Sequence, residues 1–161
     1  MNRRIDFFLP LGDEQAINSL KEQLRGCPAV RSITPLKMEN LPSTETVRSI
    51  AALAKADYSA IVTKSTSLLL GEGALERMAR VADDSGAVLV YADRTGHPVI
   101  DYQGGSIRDD FDFGSLLLVR TSLLRQWAQE AADTHYLYGG LYDLRLFLSR
   151  HGQLLHLNET L

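Results

Sequence analysis

The sequence predicts a three-layer α/β fold, with a mostly parallel central sheet and helices on both faces. Three observations predict it. In the first half of the chain, short apolar runs alternate with amphipathic stretches of helical spacing, the pattern of successive βαβ units. Residues 87–91 form an unbroken apolar run, as expected of a strand covered on both faces. The chain has 161 residues, 45% hydrophobic and 23% charged, which suits one domain with a full core.

The elements follow in order. Residues 5–9 form an apolar run ended by Pro10 and Gly12, read as a buried strand. Asp13 can cap a helix whose inward face is Ala16, Ile17, Leu20 and Leu24, and Gly26 and Pro28 stop it. Residues 30–36 are a second strand, with Pro35 placed at its end. Pro42, Ser43 and Thr44 open a helix with the stripe Val47, Ile50, Ala51 and Ala54. Residues 58–63 are a third strand. Leu75, Met78, Ala79 and Ala82 mark a further helix, closed by Gly86 in a left-handed conformation. The strand at 87–91 comes next.

The second half is less regular. Residues 98–102 read as a short extended piece, Gly104-Gly105 as a turn, and 115–119 as another strand. Thr121 is expected to cap a helix that turns Leu123, Leu124, Trp127, Ala128 and Ala131 inward. A last helix covers 141–150, closed by Gly152, before a strand at 154–157. The core is expected to hold Phe7, Val47, Ile61, Leu75, Val88, Leu89, Leu117, Trp127 and Leu144. Nothing marks a linker or repeat, so residues 1–161 are read as a single domain, either whole or the N-terminal part of a longer protein.

Composition narrows the function classes. Net charge is −3, with no basic cluster, so nucleic acid is not an expected partner. No apolar run reaches the ~18 residues of a transmembrane segment. Asp6 interrupts the apolar stretch behind the basic start, so no signal peptide is read, and a cytoplasmic location is expected by elimination. The single cysteine, Cys27, excludes an internal disulfide and reads as a small core or loop residue. Phosphate-loop, dinucleotide and Gly-x-Ser-x-Gly motifs are absent.

Carboxylates carry the remaining chemistry. The densest cluster is Asp109, Asp110 and Asp112, interleaved with Phe111 and Phe113. In an extended segment Asp110 and Asp112 share a face, where they can hold a hard cation or act as a general base; a solvated acidic loop is the plainer reading. Asp93 follows the strand at 87–91. There it is placed to meet a substrate or ribose hydroxyl, or to serve as a turn residue before Thr95-Gly96. Asp83-Asp84 reads as surface charge, and His151 and His156 as structural residues.

Several pieces, in order along most of the chain, resemble family 2 glycosyltransferases. Ile5-Asp6-Phe7-Phe8-Leu9-Pro10 is similar to the family's first strand. Ala54-Lys55-Ala56-Asp57-Tyr58 resembles the end of the helix before its central strand, and Ala74-Leu75-Glu76-Arg77-Met78 the helix after it. Val90-Tyr91-Ala92-Asp93 is similar to a recurrent V-Y-x-D, and Tyr142-Asp143-Leu144-Arg145-Leu146 to a D-L-x-L helix piece near the C-terminus.

The resemblance implies a GT-A-like fold, the nucleotide-diphospho-sugar transferase type. It also implies transfer, with inversion, of a sugar from a nucleotide-sugar to a hydroxyl of a glycan or lipid-linked acceptor. Three positions depart from the family. Thr63-Lys64-Ser65-Thr66-Ser67 stands where the metal-holding Asp-x-Asp belongs, only Glu39 is acidic after the second strand, and Gly139-Gly140 stands where the base is usual. Manganese or magnesium stays open as a cofactor, but no metal is expected at residues 63–67, because hydroxyls and a lysine are poor ligands. Lys64 can neutralise a diphosphate in its place, and the base then falls to Asp109, Asp110 or Asp112. The expected cleft lies at the carboxyl ends of the strands, bordered by Pro10, Asp13, Lys64, Asp93 and the 109–112 loop. The alternative reading is a degenerate, non-catalytic binding or regulatory module on the same fold.

Overall fold

A computed structural model describes residues 4–37, 43–63, 68–93 and 115–160, without the side chains of 158–160. The readings at Pro42, Glu39, Lys64, His97, 98–102, 104–105 and the Asp109, Asp110 and Asp112 cluster lie outside the described residues.

The strands are β1 (Ile5–Pro10), β2 (Val30–Leu36), β3 (Tyr58–Val62), β4 (Leu89–Asp93), β5 (Leu116–Arg120) and β6 (Leu154–Thr160). The helices are α1 (Glu14–Arg25), α2 (Thr44–Leu53), α3 (Ala74–Ser85), α4 (Thr121–Glu130) and α5 (Gly140–His151). The strands form one six-stranded sheet in the order β2-β1-β3-β5-β4-β6. Only β5 runs antiparallel, against both β3 and β4. The mostly parallel, helix-covered sheet read from the sequence is the architecture found.

Alternation of side chains splits the core into two layers. Ile5, Phe7 and Leu9 point to the face covered by α1 and α3, where they meet Leu20, Leu24, Leu75 and Met78. Phe8, Ile61 and Leu117 point to the other face, under α2, α4 and α5, where they meet Val47, Trp127 and Leu144. Each expected core residue is buried. β1, β3, β5 and β4 are interior strands, and most of their side chains are apolar on both faces. β2 is an edge strand, which is why Pro35 is tolerated inside it, one residue before its end.

Two of the caps read from the sequence, Asp13 and Ser43, are found, and the third, Thr121, is not. Asp13 accepts a hydrogen bond from the Gln15 N–H at 3.0 Å, and Ser43 accepts one from the Thr46 N–H at 3.2 Å. Thr121 does not cap α4 as expected. The cap position belongs to Arg120, and the Thr121 hydroxyl lies 2.9 Å from that of Ser59 on β3. With its side chain buried against the sheet, Thr121 has a hydroxyl partner there, which explains the difference. Gly86 closes α3 at φ 71°, a left-handed conformation that glycine adopts without penalty.

Two polar clusters fasten the amino ends of the strands. Asp6, with no exposed surface, accepts from Ser32 at 2.6 Å and from the N–H groups of Lys55 and Ala56 at 2.7 and 2.8 Å, and pairs with Arg31 at 2.7 Å. It thereby ties β1 to β2 and to the turn before β3. Asp83 is exposed, as the sequence reading had it, and it is also paired: it meets Arg4 and accepts from the Tyr58 hydroxyl at 2.7 Å. Arg4 and Arg120 lie 5.4 and 5.3 Å from the Tyr58 ring centroid, within cation–π range. Helix end α3 and the starts of β1 and β3 converge there, and that convergence lies outside what local spacing reveals.

Candidate functional site

In a parallel sheet the strand ends gather on one edge. Pro10, Leu36, Val62 and Asp93 end β1, β2, β3 and β4 there, and the antiparallel β5 brings its first residue, Leu116, opposite Val62. The Thr63 N–H donates to the Ser115 carbonyl at 2.8 Å, closing the edge between β3 and β5. This is the edge on which open α/β sheets bind ligands.

A shallow, solvent-open pocket lies at the end of β1, between it and the start of α1. Pro10, Gly12, Asp13, Ile17, Val62 and Leu68 line it. The floor is apolar and the rim carries the Asp13 carboxylate, a composition that suits a flat ring with polar edges. The structure thus brings Pro10 and Asp13 together. Part of Asp13 is spent on the α1 cap.

Asp93 stands apart from them. Two strands, β3 and β5, separate β1 from β4, so at the usual strand spacing the two ends are about 14 Å apart. One small group cannot touch both; an extended ligand can. Asp93 is held by His156, whose Nε2 lies 2.7 Å from Oδ1, with the two side chains only 5% and 10% exposed. The His156 ring stacks on Tyr91 at 5.1 Å and 11°. His156, read from the sequence as a structural residue, makes this link. Its partner is 63 positions away, and only the parallel pairing of β4 with β6 brings them together. Lys64, Asp109, Asp110 and Asp112 lie outside the described residues.

A second open pocket sits past the end of β2 and the start of α2. Lys37, Thr46, His135 and Tyr136 are among its lining. Beside it Tyr136, Leu137 and Tyr138 are 50%, 68% and 77% exposed. Their segment is anchored: the Thr44 N–H donates to the Tyr136 carbonyl at 2.9 Å, and the Tyr136 N–H to the Thr44 hydroxyl at 3.0 Å.

The helix that follows opens on Gly139 and Gly140, with Asp143 in its first turn. Gly140 is pressed against the α2 backbone, so that a Cβ there would lie 2.3 Å from the Thr44 nitrogen. Asp143 accepts from the Trp127 indole N–H at 2.9 Å and so braces α5 on α4. Cys27 donates to Glu76 at 3.1 Å; burial, with that bond, pushes its thiol up to about 11, which leaves no thiolate for chemistry.

A divalent cation needs several oxygen ligands. Among the described residues no three His, Cys, Asp or Glu side chains converge, and the edge carboxylate Asp93 is already bonded to a histidine. The described donors do not fit such an ion, so no step is routed through one.

A three-layer α/β sheet with one antiparallel strand and its open edge at the carboxyl ends is the GT-A-like, nucleotide-transferase type of fold. The crystal structure of S. aureus TarS 1-349 superposes with a TM-score of 0.55 and 9% identity, covering 98% of this chain. The chain spans 58% of that structure. The bifunctional IspDF from Campylobacter jejuni gives a TM-score of 0.47 at 7% identity, over 97% of this chain and 49% of its own, too loose to argue from. No family model and no curated protein matches the chain. At these identities the likeness concerns the fold.

Proposed function

We propose that the chain binds a nucleotide-sugar across the carboxyl edge and transfers the sugar to an acceptor hydroxyl. The observation that carries this reading is the pocket between β1 and α1, on the edge where such folds take ligands, in a chain whose fold is like that of TarS, a glycosyltransferase. The base stacks on the apolar floor near Ile17 and Val62, with Asp13 at the rim. The diphosphate runs along the edge toward Lys64, which supplies positive charge as the leaving group forms. Asp93 accepts from a ligand hydroxyl. The acceptor oxygen attacks the anomeric carbon, the bond to the diphosphate breaks with its electron pair leaving on phosphate, and the acceptor proton passes to one of Asp109, Asp110 and Asp112. A glycan acceptor suits the exposed Tyr136 and Tyr138 rings, which offer flat apolar faces to a sugar.

One observation favours a second reading, a non-catalytic binding module. At the start of α5 the close approach of Gly140 to α2 leaves no room for a side chain, and Asp143 is committed to Trp127. Calorimetric titration with UDP, GDP, CDP, ADP and their sugar conjugates, with and without manganese, separates the cases. Under the transferase reading a nucleotide binds, Lys64→Ala weakens it about tenfold, and Asp110→Asn lowers release of nucleoside diphosphate without lowering Tm. Binding with no turnover supports the second reading. No binding at millimolar nucleotide removes the transferase reading and leaves the fold.

A further inference from the structure

We infer that His156 is a positioning residue that fixes the Asp93 carboxylate as the acceptor for a ligand hydroxyl at the carboxyl edge. The inference rests on the nucleotide-binding reading above and adds to it a residue 63 positions away in the sequence.

Asp93 is the last residue of β4. Up to Ala92 the pairing with β6 is regular: Tyr91 faces His156 and Ala92 faces Leu157. It then jumps, and Asp93 faces Thr160. The two extra residues, 158 and 159, lie on β6, and such irregularities gather beside active sites. Opposite them Asp93 ends β4 at the carboxyl edge.

A carboxylate that is 90% buried needs a donor, or its charge is costly. His156 supplies one at 2.7 Å. Its ring is itself constrained: it lies nearly parallel to the ring of Tyr91, its register partner, so the imidazole plane and the direction of Nε2 are set by the sheet. The order of control runs from Tyr91 to the imidazole, from the imidazole to Oδ1, and from there to the ligand. Asp93 lies two register positions nearer the open edge than His156, so a ligand at the edge reaches the carboxylate before the histidine.

The test is a double-mutant cycle read in nucleotide affinity, using whichever of UDP, GDP, CDP and ADP binds the wild-type chain most tightly. His156→Leu should weaken binding about tenfold, the usual scale for losing a hydrogen bond to a charged group. His156→Gln, whose amide can still donate to Asp93, should restore affinity to within about threefold. Asp93→Asn should weaken binding by a similar factor, and adding His156→Leu to it should cost nothing further. Affinity unchanged in His156→Leu, or factors that simply multiply in the double variant, would overturn the inference while leaving the nucleotide reading intact. A wild-type chain that binds none of the four nucleotides overturns both. If His156→Leu does not fold, the histidine ring signals of the wild-type chain decide, assigned through variants of His97, His135 and His151. The His156 signal should move on nucleotide addition, and a signal unmoved at saturation counts against the role.

Discussion

Asp6 shows how far a single residue can be read. In the sequence it only interrupts an apolar strand; in the fold it is a buried carboxylate with four donors from two segments, β2 and the turn before β3. Burial alone would push its pKa up, but the bonds from Arg31, Ser32 and two backbone N–H groups outweigh that and hold it below the usual carboxylate range. Asp6→Ala leaves those N–H groups without a partner and should cost about 3 kcal/mol, a fall in Tm of about 9 °C in thermal unfolding. An unchanged Tm would show that water replaces the carboxylate there. His156 makes the same point at the other end of the sheet: it stands between two leucines in a strand, and its role depends on a strand it does not neighbour in sequence.

Elements were legible wherever a helix or strand carries its own boundary signals. The caps at Asp13 and Ser43, the glycine at 86 and the stripe Val47, Ile50, Ala51 set α1, α2 and α3 almost as read. α4 departs at its start because Thr121 meets Ser59 across the core, which no local pattern announces. The start of α5 depends on a contact as well. Gly140 has no positive φ to explain it; its small size lets α5 touch the α2 backbone. Gly140→Ala should therefore destabilise the chain by about 2 kcal/mol, lowering Tm by about 6 °C, although alanine is the better helix former. A rise in Tm would mean that propensity outweighs the clash and that α5 can shift away from α2.

For the whole molecule, the two polar clusters predict a stability window. Asp6 and Asp83 both titrate below the ordinary aspartate value near 3.8, Asp83 chiefly through Arg4. A depressed folded value means stability that is present above about pH 4 and is lost as pH falls and the folded carboxylates take up protons. Tyr58 has the opposite sign: burial first, then the bond to Asp83, pushes its hydroxyl up to about 12. The folded state keeps that proton longer than the unfolded chain, so its contribution holds below about pH 10 and fades as pH rises toward 12. Urea unfolding across pH should give a plateau between these limits. Tyr58→Phe should flatten the alkaline limb, and a limb that stays as steep would assign it to other groups.

Periodicity, capping and composition determined the class of fold, the order of the elements and the core residues, because each depends on neighbours within a few positions. They also placed Pro10, Asp13 and Asp93 at strand or helix ends, since those ends carry turn and cap residues. Which strands lie side by side was decided by the tertiary structure. The antiparallel insertion of β5 sets Pro10 and Asp93 two strands apart, and the pairing of β4 with β6 joins Asp93 to His156. The β3–β5 and β4–β6 contacts span more than 50 positions and, like the β4–β5 pairing, depend on burial of whole faces, so only the packed sheet determines them.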